Sequence, residues 1–230
     1  DKLMRYPYRC LEQTTSRGMG FLFGTGEYPS AGRVNNFPED LKLEIQKAIS
    51  RLSTLQRRDG SFGLWSSTDS SEEWLSVYAT DFLMRAKEAG FGVPQHLTRS
   101  AISWIRSNVR GGRHHDEQKI SSIAYSHYVL ARANQADIGK IRYFFDNHKD
   151  DFPSMIENAF MISALDAYGD IARSKIAREA LIFWTQSAFE SNGNRYDYYS
   201  SPIREIAAVL HLAAESGMQN ERLVSLASSF

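Results

Sequence analysis

Apolar residues along the chain recur at intervals of three and four, the period of helices that bury one face. Leu41, Ile45, Ala48, Ile49 and Leu52 form one stripe, opened by Pro38 and by Glu39 and Asp40, whose charges suit a first turn. Trp74, Leu75, Val77, Tyr78, Phe82 and Leu83 form the next, and Gly90 closes it. Leu97, Ala101, Ile102 and Ile105 follow Pro94. Ile120, Ile123, Ala124, Tyr128 and Ala131 make a further stripe, and Ile138, Ile141 and Phe145 a short one. Helical stretches are then expected over 153–168, 171–189 and 202–216, with a last apolar stripe at 223–226. The total is about ten helices, most of ordinary length.

Short links between these segments favour antiparallel neighbours. Strand-like alternation is visible only around Tyr196 and Tyr199, and residues 18–37, rich in Gly, Asn and Pro, are expected to form an irregular connection. The run from Ala159 to Leu165 is apolar over most of a helix circumference, so it must be covered on more than one side. Two layers of helices satisfy that demand, and so does a stacked solenoid; periodicity leaves both open, and no strict repeat is present.

Composition narrows the function classes. The 230 residues are 42% hydrophobic, with 27 basic and 27 acidic side chains and no net charge. That balance argues against a nucleic-acid footprint or a polybasic membrane patch. No apolar run approaches the ~20 residues of a membrane-spanning helix. Residues 1–7 do not resemble a signal peptide, so the targeting sequence of an exported parent is expected outside this chain.

Cys10 is the only cysteine, which excludes an intrachain disulfide and a zinc site built on Cys pairs. Taken alone it reads as a small buried hydrophobe. His114, His115, Asp116 and Glu117 are adjacent, so on a helix they would point in different directions and chelate a metal poorly; a solvated loop is the plainer reading. No metal or cofactor is expected.

The chemically loaded stretch is 6–17, Tyr-Pro-Tyr-Arg-Cys-Leu-Glu-Gln-Thr-Thr-Ser-Arg. Cys10 and Gln13 stand three apart, so on a helical turn their side chains are neighbours. A thiolate there can attack the Gln13 side-chain carbonyl, expel ammonia and leave an internal thioester, an acyl donor held for an outside nucleophile. The bland alternative is a helix start with a buried thiol and an exposed glutamine.

This stretch, with Leu11 and Glu12 inside the motif, closely resembles the thioester signature of bacterial alpha-2-macroglobulins, and is similar to those of vertebrate alpha-2-macroglobulin and the thioester-containing complement proteins. Further patches fit the same family: Leu-Gln-Arg-Arg-Asp-Gly-Ser-Phe-Gly-Leu-Trp at 55–65, Trp-Leu-Ser-Val-Tyr-Ala-Thr-Asp-Phe-Leu at 74–83, Ala-Tyr-Ser-His-Tyr-Val-Leu-Ala-Arg-Ala at 124–133 and Tyr-Tyr-Ser-Ser-Pro at 198–202. The resemblance implies an all-α fold, an α/α toroid of antiparallel helical hairpins, spanning 1–230 as a single thioester domain. About five hairpins are visible, which implies a fragment or a truncated ring.

The implied function is that of a broad-spectrum protease inhibitor in the periplasm, a lipoprotein of the inner membrane whose lipid anchor lies outside this chain. A protease cuts a bait region elsewhere, the thioester is exposed, and a protease lysine amine takes the Gln13 acyl group while Cys10 leaves. The implied partners are target proteases and the parent's other domains. Such a trap acts once and is not an enzyme. In the bacterial family a Tyr four residues before the Cys is implied to shield the bond, which nominates Tyr6, with Tyr8 and Met4 as less specific neighbours; simple packing explains Tyr6 equally well. Some complement proteins carry a His just before a Gly-Gly pair that redirects the thioester. Here Gly111-Gly112 precedes His114, so the order differs, and His114 and His115 stand only as candidates for modulating the bond.

Two other readings remain. The segment with Gln56, Asp59, Gly60 and Phe62 resembles repeats of terpene cyclases and prenyltransferase β subunits, α/α-barrel enzymes, but an Asp-Asp-x-x-Asp run and a Cys-Asp-His zinc set are missing. Asp59-Gly60 is also simply a good turn. A helical interaction scaffold whose thioester never forms is the non-chemical alternative.

Overall fold

The computed structural model describes residues 9–23, 33–109, 116–190 and 202–216. Among them are nine α-helices: α1 Leu11–Phe23, α2 Glu39–Leu55, α3 Glu73–Glu88, α4 Gln95–Asn108, α5 Glu117–Arg132, α6 Ile138–His148, α7 Met155–Ala167, α8 Ile171–Glu190 and α9 Pro202–Glu215. Short 3-10 turns lie at Arg33–Asn36 and Lys149–Asp151. Strand-like pairing among the described residues is limited to two isolated bridges, Gln56 with Phe62 and Gly63 with Ser71. The possible strand near Tyr196 and the stripe at 223–226 lie outside the described residues. No described helix is long and apolar enough to cross a membrane.

The contacts group into two compact units, 1–108 and 109–230. In each, odd-numbered helices touch one another (α1 with α3; α5 and α9 with α7), and even-numbered helices lie against them. This is the two-layer arrangement, one of the two that the apolar run 159–165 left open. In unit 1, α1 and α2 run antiparallel: Arg9 lies by Arg51, and Arg17 pairs with Glu44. The core joins Leu11 and Leu22 of α1 to Ile45, Ile49 and Leu52 of α2 and to Leu75, Phe82 and Leu83 of α3. Inside α3 the buried Arg85 and Asp81 pair at 2.9 Å.

The expected irregular connection over 18–37 is corrected at its start, because α1 continues through Gly18 and Gly20 to Phe23. Gly18 is there for proximity, not as a breaker. A Cβ built on it would lie 2.6 Å from the Phe82 ring and 3.2 Å from the Ala48 Cβ, so its missing side chain is what lets α1 approach both neighbours. Phe21 and Leu22 are buried and hold the last turn down.

In unit 2, α7 is the hub, touched by α5, α6, α8 and α9. Ser154 and Glu157 form a capping box at its start. Buried Glu157 also accepts from Ser121 Oγ of α5 at 2.6 Å, and Glu205 of α9 accepts from the Met155 N–H at 3.1 Å. Burial pushes the Glu157 carboxyl up to about 7, against the opposing hydrogen bonds from Ser121 and Ser154. Tyr125 stacks on Phe160 at 4.5 Å, so α5 and α7 run in the same direction. His127 of α5 is buried against Phe144, and neither ring nitrogen has a partner among the described residues. Burial drives it down to about 3, with Lys140 adding to the effect, so the ring is neutral at physiological pH.

Candidate functional site

Cys10 stands immediately before α1, in the position from which side chains cap a helix. Its carbonyl accepts the first helical hydrogen bond, from the Thr14 N–H at 2.9 Å. Its sulfur accepts from the Gln13 N–H at 3.5 Å, where a serine or aspartate oxygen usually sits. The thiol therefore lies over the first turn on the side of Gln13. The thiol is buried, and Gln13 Oε1 is buried too with no donor among the described residues. Leu11 is fully buried and Glu12 is half-buried, as expected of a motif with one face against the core. Cys10 and Gln13 thus share one turn, joined by the sulfur and the Gln13 backbone N–H. Tyr6, Tyr8 and Met4 lie outside the described residues, as do His114 and His115.

Three features fix this turn. The Thr15 hydroxyl bonds back to the Leu11 carbonyl at 2.8 Å. Arg17 pairs with Glu44, whose carboxyl is held below its ordinary range chiefly by the hydrogen bond from Lys47 and also by the Arg17 charge. The loop between α2 and α3 supplies the third. Its Leu64 carbonyl accepts the Leu11 N–H at 2.8 Å, satisfying a helix-start donor that would otherwise be orphaned.

That loop is tightly built. Asp69 accepts from the N–H groups of Trp65 and Ser66 at 2.7 and 2.9 Å. Gly60 has φ of 97°, the left-handed turn anticipated at Asp59-Gly60, and a Cβ there would meet the Ser100 carbonyl oxygen at 2.2 Å. Arg51 of α2 reaches both sides: Nε donates to the Arg9 carbonyl at 3.2 Å, and a terminal nitrogen donates to the Trp65 carbonyl at 2.9 Å. Leu64 and Trp65 expose 37% and 51% of their surface, placing an apolar patch beside the Cys10 turn.

The arrangement is a buried thiol sharing one helical turn with a buried amide carbonyl, braced by a separate loop. No group of three or more metal-ligating side chains occurs among the described residues. A family model described as the A-macroglobulin TED domain matches residues 1–130, which contain this turn and its brace. The chain belongs to the A-macroglobulin TED-domain family. Alpha-2-macroglobulin of Xylella fastidiosa strain Temecula1 is 30% identical over 227 residues, covering 94% of this chain. This chain spans only 14% of that relative's length. Among solved structures, Salmonella alpha-2-macroglobulin reacted with methylamine aligns at a TM-score of 0.80 and 27% identity, covering 99% of this chain and 15% of that one. Escherichia coli alpha-2-macroglobulin activated by porcine elastase aligns at 0.80 and 26%, covering 97% of this chain and 20% of that one. The all-α, layered helical fold of this TED domain is the fold of those structures.

The terpene cyclase and prenyltransferase reading falls with that membership. The loop that suggested it, 55–65, instead supports the Cys10 turn. Sequence reasoning picked out this loop as family-like but missed its contact with Leu11, and missed Arg51 entirely. Arg51 sits among ordinary helix-surface residues, and its acceptors are backbone carbonyls that carry no residue-type signal.

Proposed function

We propose that Cys10 and Gln13 form an internal thioester, through which the parent protein attaches itself covalently to proteases. The observation that carries this reading is the Cys10 sulfur lying on the Gln13 N–H at 3.5 Å, in one turn with the buried Gln13 Oε1, which has no donor among the described residues. In formation, the sulfur bonds to the Gln13 side-chain carbon, the carbon–nitrogen bond breaks, and ammonia leaves with the thiol proton. In trapping, a lysine amine of the protease bonds to that carbon, the carbon–sulfur bond breaks, and the amine proton passes to the Cys10 thiolate. A thioester has less resonance stabilisation than an amide, and a thiolate is the far better leaving group, so the bond yields to amines that leave an ordinary glutamine untouched. Each molecule reacts once.

Tyr6, with Tyr8 and Met4 as less specific candidates, is the residue proposed to shield the bond from water, and Tyr6→Ala is expected to speed spontaneous thiol release. His114 and His115 are the candidates for tuning it. The parent resides in the periplasm as a lipoprotein of the inner membrane and carries the bait and covering domains. The elastase-activated relative supports proteases as targets. The test uses full-length protein: intact mass one ammonia below the sequence mass, no reactive Cys10, and release of the thiol with methylamide formation at Gln13 on adding methylamine. Cys10→Ala abolishes the mass deficit and the uptake. A wild-type protein at full sequence mass, with a free thiol and no methylamine uptake, refutes the reading.

A further inference from the structure

The Cys10 turn is held at both flanks by the α2–α3 loop, and one side chain closes that brace. After Cys10, the Leu11 N–H is bound to the Leu64 carbonyl at 2.8 Å. Before it, the only described restraint on the Arg9 carbonyl is the Arg51 guanidinium, at 3.2 Å, and the same group holds the Trp65 carbonyl at 2.9 Å. A third nitrogen is occupied by the Thr54 hydroxyl at 3.0 Å, which orients the fork on its own helix. The Trp65 end is itself rigid, because Asp69 holds the Trp65 and Ser66 N–H groups. Arg51 therefore ties the Arg9 carbonyl, at the residue just before the sulfur, to a rigid loop.

We infer that Arg51 is a positioning residue for the Cys10–Gln13 acyl bond, clamping the Arg9 and Trp65 carbonyls so that the Cys10 sulfur stays on the Gln13 turn, where it meets the Gln13 N–H. This rests on the thioester reading above. Cys10 precedes the helix, so its own backbone is not fixed by helical hydrogen bonding on its N-terminal side. Intramolecular acyl transfer gains its rate from holding the two groups in attack geometry, and a misplacement of about 1 Å can cost on the order of 100-fold. A planar fork spans two carbonyls, which an ammonium cannot reproduce; lysine is therefore an intermediate case and glutamine a severe one. Arg51 touches neither reacting atom in this structure, so its effect passes through the placement of Cys10.

The experiment compares full-length wild type, Arg51→Lys and Arg51→Gln. For each, intact mass gives the fraction carrying the thioester, thiol release in buffer gives its lifetime, and thermal unfolding gives the stability. The expected result is a loss of roughly 10- to 100-fold in thioester fraction or lifetime for Arg51→Gln, a smaller loss for Arg51→Lys, and unfolding midpoints close to wild type. Equal fraction and lifetime in wild type and Arg51→Gln overturn the inference, as does a loss that tracks the drop in unfolding midpoint across both variants. If Arg51→Gln does not fold, Arg51→Lys decides by the same two readouts. A wild type without the mass deficit refutes the thioester itself, and so is distinguishable from a failure of Arg51 alone.

Discussion

Replacing Gly18 by alanine sets two effects of known sign against each other. Helix propensity favours alanine over glycine in a helix interior by about 1 kcal/mol. Packing opposes it, since the new Cβ would fall 2.6 and 2.7 Å from two Phe82 ring atoms and 3.2 Å from the Ala48 Cβ. Phe82 is fully buried, so its ring has no free space to enter, and the backbones of α1 and α3 must separate. Overpacking of this kind costs about 1–3 kcal/mol, and contacts this short belong at the upper end. The net expectation is a loss of about 1–2 kcal/mol after the propensity gain is subtracted. The assay is urea unfolding followed by circular dichroism, with the midpoint shift read at constant slope. Ser53→Ala, on the exposed side of α2, serves as the control and should be neutral or slightly stabilising. If Gly18→Ala is as stable as wild type or more so, close approach is not the reason for glycine at this position.

Gly63→Ala should break the brace from the other side: its Cβ would lie 2.0 Å from the Ser66 carbonyl oxygen, so the loop must reopen, and thioester lifetime in full-length protein should fall more than the unfolding midpoint does. His127→Leu should change pH dependence. With a folded value of about 3 against 6.5 unfolded, the buried His127 contributes stability above pH 6.5 that is lost as pH falls towards 3. At pH 5 that loss is about 2 kcal/mol, so the leucine variant should gain relative to wild type between pH 7.5 and 5; parallel stability curves for the two proteins would refute the assignment.

The helices were legible because their apolar faces repeat cleanly. Pro38 opens α2 and Gly90 follows the α3 end as expected, with φ of 99°. The error at Gly18 arose because glycine is read as a breaker when its partner is unseen; here the reason for it lies on α3, 64 positions further on, at Phe82. The division at 108/109 leaves no mark in composition or periodicity. At the site, the Cys10–Gln13 relation is local and so is written in the spacing. The brace is not: Leu64 and Arg51 stand 53 (64 − 11) and 42 positions from Leu11 and Arg9, and the groups they meet there are main-chain atoms, which carry no residue-type message.

The carboxylate that joins α5 to α7, Glu157, bears on the unit's stability beyond its hydrogen bonds. With its value raised to about 7 from 4.5, Glu157 retains a proton in the folded state that the unfolded chain has lost. Its contribution is complete below pH 4.5 and is lost as pH rises through 7, a slope of about 1.4 kcal/mol per pH unit. His127, on the helix beside it, has the opposite slope over pH 4.5–6.5. The two buried groups therefore pull the unit's stability in opposite directions over that range, and Glu215 of α9, raised by burial to about 7, adds to the slope of Glu157. Loss of His127 would leave the alkaline loss from Glu157 and Glu215 unopposed by it, whereas loss of Glu157 would remove part of that loss and leave the acid-side loss from His127.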